Sequence, residues 1–320
     1  MRYLFFDCEC ANCYNHEGKI CSFGYVLTDE SFKTLEEKDL IINPDAPFDP
    51  HVLGVGSNSI DLAYTPIRFQ HAPKFDAVFP QISNLLGDPE IMVFGYAVEN
   101  DVGFLFSECR RYHLTLPRFT YFDIQDIYRL YREWDRSPSL EDALKDLEVP
   151  FDDYAEHQSS DDAKMSMLLL KKIVNQTGYT LPNLLLAFPT CKDTTGLFAL
   201  QEQIVKPSTR DLGLPYDSEF RDSMRTFYEF IGYSDPEAPS HRLEGRRFLF
   251  SSLTRQDVKT LLFNANQIAD RSGLIVRCLK EATDYVVYDE QEKTEVAPLF
   301  EPTGISILTL SDLSHLFESL

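Results

Sequence analysis

The chain opens with MRYLFFDCECANC, residues 1–13, and this stretch decides how the rest of the fold is arranged. Residues 3–6 form a short apolar run, which predicts a buried strand. Asp7 and Glu9 follow at a spacing of two, so their side chains share one face of the strand, about 6–7 Å apart. Acids at the end of a buried strand need a cationic partner. We therefore expect a divalent metal beside them.

The segments that follow predict a mixed α/β sheet with helices on both faces. Apolar runs at residues 20–27, 39–43, 91–96 and 119–122 predict further strands, and helical spacing recurs at 75–86, 101–112, 139–147 and 161–176. Asp123 is placed to cap the helix that follows the fifth strand. Three strands followed by alternating helices and strands are typical of an α/β domain.

Three further polar residues fall where this sheet would bring them near the first strand. Asp101 follows a strand at the start of a helix, Asp162 lies near the start of the last long helix, and His157 precedes it by five residues. Strand ends and helix starts converge on one crevice in such sheets. Acids gathered there repel one another unless metal ions bind. Two Mg²⁺ or Mn²⁺ ions can hold an attacking water and a leaving oxygen across a phosphate, and a histidine can take the proton.

These motifs resemble the DEDD superfamily of 3′–5′ exonucleases, in the subgroup that uses histidine and includes polymerase proofreading subunits. The first motif is Asp7-x-Glu9 and the second contains Asp101. The third is HQSSDDA at residues 157–163, which fits His-x4-Asp-Ala. The tyrosine subgroup would place a tyrosine at position 158, where this chain has glutamine.

The resemblance covers about residues 1–175 and implies a ribonuclease H-like mixed sheet flanked by helices. It implies a metal-dependent 3′–5′ exonuclease that acts on DNA 3′ ends and releases nucleoside 5′-monophosphates. His157 would be the general base. The other implied site residues are the ligands of two Mg²⁺ or Mn²⁺ ions, Asp7, Glu9 (shared between the ions), Asp101 and Asp162, and a backbone segment that contacts the terminal nucleotide, Cys10, Ala11 and Asn12.

Two local alternatives compete with these assignments. Asp161 competes with Asp162 as the metal ligand, but the spacing from His157 favours Asp162, and Asp161 fits a first-turn acid that meets the helix dipole. The cysteines at positions 8, 10, 13 and 21 suggest a zinc site. Zinc sites usually present Cys-x2–4-Cys pairs from loops, whereas two of these cysteines alternate with the acids along a strand. We therefore expect ordinary buried thiols.

Residues 1–190 are predicted to form the exonuclease domain, and residues 191–242 a connector with a docking helix at 218–231. Residues 243–320 repeat a β–α pattern that is similar to a BRCT domain, although the glycine pair and the tryptophan of that family are missing. This domain is expected to mediate protein contact or self-association. Ser251 or Ser252, with Lys293, could bind a phosphopeptide.

The net charge of −21 bears on the substrate. Proteins that grip long duplexes do so through lysine and arginine, so a short substrate or delivery by a partner fits best. This acidity favours an alternative activity, an oligoribonuclease-like exonuclease on short RNA. A second alternative is a scaffold whose exonuclease fold only binds. We see no signal peptide and no run of about twenty apolar residues, so no membrane contact is expected. Seven scattered cysteines suit a cytoplasmic protein.

Overall fold

A computed structural model describes most of the 320-residue chain. The described residues are 1–14, 17–56, 59–60, 62–155, 157–202, 218–235, 237–251, 254, 258–280, 283–288, 290 and 293–319. Ser252, one of the two predicted phosphopeptide contacts, lies outside them, as does part of the predicted connector. The contacts of the chain divide it into two units, Met1–Thr195 and Gly196–Leu320. No helix in the described ranges is long and apolar enough to cross a membrane.

The first unit is built on a mixed six-stranded sheet, with strand order β3-β2-β1-β4-β5-β6. The two neighbours of β1 differ, since β1 pairs antiparallel with β2 and parallel with β4. The predicted mixed α/β sheet is thus confirmed. The strands are β1 (Arg2–Cys10), β2 (Ile20–Thr28), β3 (Thr34–Ile41), β4 (Ile91–Gly95), β5 (Thr120–Asp123) and β6 (Lys192–Thr194).

Helices cover this sheet, and their apolar spacing accounts for their placement. The second helix buries four residues at positions three or four apart, beginning with Phe75. The Asp123 carboxylate accepts a hydrogen bond of 2.9 Å from the Gln125 N–H, so it caps the following helix as predicted. The helices are α1 (Pro66–Gln70), α2 (Phe75–Leu86), α3 (Glu99–Arg111), α4 (Ile124–Tyr131), α5 (Leu140–Asp146), α6 (Ser159–Thr177) and α7 (Leu181–Ala187).

Strand β1 lies at the centre of the sheet because its side chains are buried on both faces. Phe5 stacks on Phe94 of β4 with ring centroids 5.3 Å apart, and Phe94 stacks in turn on Phe122 of β5 at 5.3 Å. On the other face, Phe6 stacks on Phe23 of β2 at 5.3 Å. Aromatic pairs in this geometry add stability beyond their buried area. The strand that carries the first two acids is therefore held rigidly.

The start of α6 is pressed against β2 at a glycine. A Cβ atom on Gly24 would lie 2.0 Å from the carbonyl carbon of Ser159, so no larger residue fits without a shift of the helix. The hydroxyl oxygens of Ser22 and Ser159 are 2.5 Å apart, and the Ser159 hydroxyl donates to Asp39 at 3.3 Å. This contact brings the residues around the start of α6 next to the end of β1.

The second unit contains a parallel four-stranded sheet, with order β10-β9-β7-β8. Helix α9 packs on it, since Met224 and Phe227 are buried in its core and the Phe227 ring meets that of Phe250 at 5.8 Å. The elements from Thr195 onward are α8 (Thr195–Leu200), α9 (Ser218–Glu229), β7 (Arg247–Phe250), α10 (Val258–Ala269), β8 (Leu274–Ile275), β9 (Tyr285–Val287), α11 (Lys293–Phe300), β10 (Ser306–Leu308) and α12 (Leu310–Ser319).

Several elements differ from those predicted. The third strand covers 34–41 and not 39–43, because its charged residues form an edge that pairs only with β2. The strands β6 and β8 were not predicted, because strands of two or three residues are defined by their partners and not by an apolar pattern. The helices α1, α7, α8 and α11 were not predicted either, because helices of five to eight residues show little of the helical period. Within the predicted connector, β6 pairs with β5, which places it in the first unit. The helix predicted at 218–231 is present as α9 and packs in the core of the second unit.

Replacement of Gly24 by alanine tests the contact between α6 and β2. The added Cβ overlaps backbone atoms of Ser159, so we expect Gly24→Ala to lower the free energy of unfolding by about 1–3 kcal/mol. Chemical denaturation measures this change. Ser22→Ala is the matched control, because it removes a hydroxyl at the same contact without adding volume and should cost only about 1 kcal/mol. An unchanged unfolding midpoint in Gly24→Ala would show that the contact is not tight.

Candidate active site

The end of β1 presents Asp7 and Glu9 on one side of the sheet, as predicted. Asp7 pairs in register with Gly24 of β2, and Glu9 pairs with Ser22. Both acids are partly exposed, whereas their neighbours Cys8 and Cys10 are buried. The alternation follows from the two-residue period of a strand. The two carboxyl groups therefore point together into an open space at the edge of the core.

Asp101 reaches the same region from the first turn of α3. It is a buried residue, with 4% of its surface exposed. Its carboxylate accepts a hydrogen bond of 3.1 Å from the backbone N–H of Cys8, which ties α3 to β1. The turn before α3 needs Gly95, because a Cβ there would lie 2.7 Å from a methyl of Val98. Strand β4 and its tight turn thus set the position of Asp101.

His157 and Asp162 flank the start of α6. His157 has a left-handed backbone, with φ of 59°, which turns the chain sharply into the helix. Its backbone N–H donates a hydrogen bond to the Asp162 carboxylate. Asp161 points elsewhere, because its carboxylate accepts a hydrogen bond of 2.8 Å from the Ala155 N–H. Of the two competing aspartates, Asp162 is the one that faces the site.

Glu9, His157 and Asp162 form a tight group. One potential ligand atom from each lies within 4.8 Å of the others. His157 Nδ1 is 3.6 Å from Glu9 Oε1. In the part of the chain that the structure describes, no other set of three or more acidic, histidine or cysteine side chains meets this distance. Asp7 and Asp101 are not part of the tight group, but both interact electrostatically with Glu9 and Asp162.

The acids raise one another's pKa values. Burial is the largest cause for Asp7, and Asp101, Asp162 and Glu9 add to it, so the pKa of Asp7 lies well above its usual range. Burial likewise raises the pKa of Asp101, against a lowering effect of the Cys8 N–H. Burial and Glu9 raise the pKa of Asp162 to about 7, although His157 opposes this. A bound cation would relieve the repulsion.

Asp39 and Tyr64 support the site, although the sequence did not identify them. The Tyr64 hydroxyl donates to the Asp39 carboxylate at 2.8 Å, and the same carboxylate accepts the Ser159 hydroxyl at the start of α6. The Arg68 guanidinium lies 4.2 Å from the centre of the Tyr64 ring. Burial raises the pKa of Asp39. Asp39 lies on a predicted strand, but no spacing links it to α6, so only the folded chain reveals this contact.

The backbone of residues 10–12, which is predicted to contact substrate, also lies in a loop that is fixed by hydrogen bonds of Ala11 and Asn12. The Ala11 N–H donates to the Lys19 carbonyl at 2.8 Å, and the Ala11 carbonyl accepts from the Asp49 N–H at 2.8 Å. The Asn12 carbonyl accepts from the Lys19 N–H at 2.9 Å, and its side-chain amide donates to the Pro47 carbonyl at 2.6 Å. The side chains of Cys10, Ala11 and Asn12 are all buried. The segment is therefore well ordered beside Glu9.

The cysteines do not form a zinc site among the described residues. None of the seven is in a disulfide, and none belongs to a described group with metal-ligand spacing. Cys8, Cys10 and Cys21 are buried thiols, as expected. The expectation was wrong for Cys13, which is exposed because it lies beyond the end of β1.

Solved structures of several exonucleases are similar to this chain. A 3′-exonuclease that recognises the 3′ end of a histone mRNA stem-loop is 16% identical, with a TM-score of 0.48 over 55% of this chain and 64% of that one. E. coli Exonuclease I in complex with a dA16 oligonucleotide is 16% identical, with a TM-score of 0.47 over 57% and 42%. The nuclease domain of 3′hExo, a DEDDh family member bound to rAMP, is 18% identical, with a TM-score of 0.47 over 55% and 92%.

The chain spans less than two thirds of the length of the first two of these proteins. No curated protein matches its sequence. The family model described as Exonuclease, RNase_T, matches residues 4–170, which is just over half of the chain. The matched residues include all four acids and the histidine of the site. The chain therefore belongs to the RNase_T exonuclease family, which is a family of nuclease enzymes.

Proposed function

We propose that the chain is a metal-dependent 3′–5′ exonuclease of the histidine-containing DEDD subgroup, to which proofreading subunits belong. It hydrolyses phosphodiester bonds at DNA 3′ ends, in single strands or at the ends of duplexes, and releases nucleoside 5′-monophosphates. One observation carries this proposal: Glu9, His157 and Asp162 come within 4.8 Å of one another, and Asp7 and Asp101 interact with the same group.

The four acids fit a pair of divalent cations. Asp7, Glu9, Asp101 and Asp162 supply only carboxylate oxygens, which are the ligands that Mg²⁺ and Mn²⁺ prefer. Burial and mutual repulsion raise the pKa values of three of them. A bound cation would therefore offset the repulsion between the carboxylates through its attraction to each of them. We assign Glu9 to both ions. When bound, the cations would polarise the phosphate and stabilise the charge on the attacking and leaving oxygens.

His157 is the proposed general base. Its side chain is 37% exposed and its Nδ1 lies 3.6 Å from Glu9 Oε1, so the ring reaches both solvent and the acids. A neutral imidazole in that position can take the proton from a water that attacks the phosphate. The left-handed backbone at His157 and the hydrogen bond from its N–H to Asp162 hold the ring at the mouth of the site.

The proposed substrate is a DNA 3′ end. Two alternatives are a short RNA substrate and a scaffold without catalysis. The net charge of −21 opposes tight binding of long duplexes, which favours a short RNA substrate as the alternative. A scaffold that binds nucleic acid or protein without cleavage is the third reading, and the complete set of acids with the histidine argues against it. A DNA end can still be the substrate, because binding of about one to a few nucleotides involves few phosphates and therefore few lysine or arginine residues.

The second unit is proposed to be a BRCT-like interaction domain for a protein partner or a second copy. The alternation of β7, α10, β8, β9, α11, β10 and α12 supports this reading. Lys293 Nζ lies 2.5 Å from Asp312, and this hydrogen bond lowers the pKa of Asp312 to about 2. Because Lys293 is already paired, protein contact or self-association is preferred to phosphopeptide binding. A cytoplasmic location belongs to the same proposal, and it is supported by the seven cysteines, none of which is in a disulfide.

Digestion of labelled oligonucleotides tests the activity. We expect the full chain, with Mg²⁺ or Mn²⁺, to shorten 5′-labelled DNA oligonucleotides stepwise from the 3′ end and to release 5′-monophosphates, detected by chromatography. RNA oligonucleotides of matched sequence and length are the comparison. Faster digestion of short RNA than of DNA would replace the substrate assignment with its alternative. Complete inactivity on both, with either metal, would favour the scaffold.

Asp162→Asn tests the ligand assignment. The amide keeps the shape of the side chain but removes its charge, so we expect turnover of the oligonucleotide to fall at least about 100-fold. The matched control is Asp161→Asn on the neighbouring residue, whose carboxylate binds the Ala155 N–H, and this variant should stay within a few-fold of the unchanged chain. Equal activities of the two variants would reject Asp162 as the ligand.

The stability of the metal-free protein should fall as pH rises. The pKa values of Asp7, Asp101 and Asp162 are raised in the folded state, that of Asp162 to about 7. The folded chain therefore binds more protons than the unfolded chain between about pH 4 and pH 7, and the free energy of unfolding decreases across that window. Thermal unfolding in a chelator measures this trend.

Added Mg²⁺ should raise the unfolding temperature more at about pH 8 than at about pH 5, because protons compete with the cation for the carboxylates. Asp162→Asn should show a shallower pH trend without metal, since one of the repelling charges is gone. A metal-free protein that becomes more stable from about pH 5 to about pH 8 would contradict the clustering of these acids.

A further inference from the structure

We propose that Arg68 binds a phosphate of the substrate strand on the 5′ side of the bond that is cut. Arg68 lies on α1 and is exposed to solvent. The contact rests on the proposed nuclease function, because it is made to the same nucleic-acid strand. Its ligand is a phosphodiester oxygen of the backbone, so the contact does not depend on which base the nucleotide carries.

Residues 62–69, which include α1, lie beside the candidate active site. The Ala63 N–H donates a hydrogen bond of 3.4 Å to the His157 carbonyl. At the other end of the segment, Phe69 is buried in a small apolar cluster that also contains Ala11. The segment is thus anchored both to the proposed general base and to the backbone that is proposed to contact the terminal nucleotide.

The guanidinium of Arg68 is joined to the site through a chain of contacts. Its Cζ lies 4.2 Å from the centre of the Tyr64 ring, which is a cation–π contact. The Tyr64 hydroxyl donates to the Asp39 carboxylate at 2.8 Å, and that carboxylate accepts the Ser159 hydroxyl at 3.3 Å. Ser159 is the first residue of α6, the helix that carries Asp162. The Tyr64 ring therefore holds the cation near the proposed metal ligands.

The N–H donors of Arg68 are not used by any other described residue. Within the described ranges its guanidinium makes no hydrogen bond and no ion pair. By contrast, Arg110 of α3 pairs with Glu17 at 2.6 Å, and Lys164 of α6 pairs with Glu37 at 2.8 Å. A guanidinium presents its donors as a planar fork that matches the oxygens of a phosphate. Arg68 is therefore a cation beside the site with donors available for a ligand.

The path of the substrate strand indicates which phosphate Arg68 meets. Divalent cations at the four acids would act on the scissile phosphate, and a 3′–5′ exonuclease takes only the 3′ end of the strand into its site. The rest of the strand then leaves on the 5′ side of the scissile bond. The net charge of −21 repels these phosphates. Because Arg68 is exposed and not buried with the acids, it fits a phosphate on the departing strand.

Substrate length tests this contact, because a dinucleotide with a free 5′ hydroxyl contains only the scissile phosphate. For Arg68→Ala acting on a single-stranded DNA octanucleotide, we expect KM to rise about 5–10-fold, the size of one exposed charge-assisted hydrogen bond, with kcat unchanged. The KM of the dinucleotide should stay the same. Arg68→Lys keeps the charge but not the planar fork, so its KM on the octanucleotide should be intermediate.

Arg2→Ala is the matched control. It removes the same charge at the opposite end of β1 from Glu9, where Arg2 pairs with Asp88, and it should leave both KM values unchanged. Salt dependence gives a second readout. The slope of log KM against log salt concentration for the octanucleotide should be shallower by about 0.7 in Arg68→Ala, as expected for the loss of one phosphate contact to a single strand.

Equal KM values of Arg68→Ala and the unchanged chain on the octanucleotide would overturn the contact, although the nuclease function would stand. An equal rise in KM on the dinucleotide, or a fall in kcat alone, would also overturn it. If the unchanged chain cuts neither substrate, the nuclease function fails, and the contact is then tested by the fluorescence anisotropy of a labelled octanucleotide in Mg²⁺. Weaker binding by Arg68→Ala than by Arg2→Ala would support the contact, and equal binding would overturn it.

Discussion

The repulsion among carboxylates at the end of β1 is the constraint on which the site depends. Asp7, Glu9, Asp101 and Asp162 come from the first strand, the start of α3 and the start of α6, and burial together with their neighbours raises the pKa values of three of them. The four carboxylates do not attract one another, because like charges that lie close together in a low-dielectric region repel and destabilise the fold. The surrounding core must therefore hold these elements in place, and a bound cation would relieve the repulsion among them.

Two sets of contacts keep β1 and the start of α6 in place. The first is the aromatic stack of Phe5, Phe94 and Phe122, which fixes β1 between its neighbours on one face of the sheet. The second is the seating of α6 on β2, where Gly24 admits the helix backbone and Asp39 accepts hydrogen bonds from Ser159 and Tyr64. The first set orients Asp7 and Glu9, and the second delivers His157 and Asp162. Strain at the site, such as the left-handed His157, is tolerated because the elements around it are rigid.

Much of this arrangement was predictable from the sequence, for identifiable reasons. Asp7 and Glu9 stand out because a two-residue spacing on an apolar strand places acids on one face, and the spacing of His157 from Asp162 singles out one of two adjacent aspartates. Long helices such as α2 follow from their apolar period. The support from Asp39 and Tyr64 was not predictable, since it joins residues that no local pattern connects. The exposure of Cys13 was missed because the same expectation was applied to all four cysteines, although Cys13 lies beyond the end of β1. Short strands such as β6 and β8 exist only through their partners.

We propose that the carboxylates gathered at the end of β1 hold divalent cations. Anomalous X-ray diffraction from crystals of the chain grown with Mn²⁺ tests it most directly, because the scattering of manganese marks each ion without reference to activity. We expect two anomalous peaks among Asp7, Glu9, Asp101 and Asp162, with Glu9 in contact with both. Manganese bound only at other acidic residues, or no peak at these four in the presence of saturating metal, would contradict it.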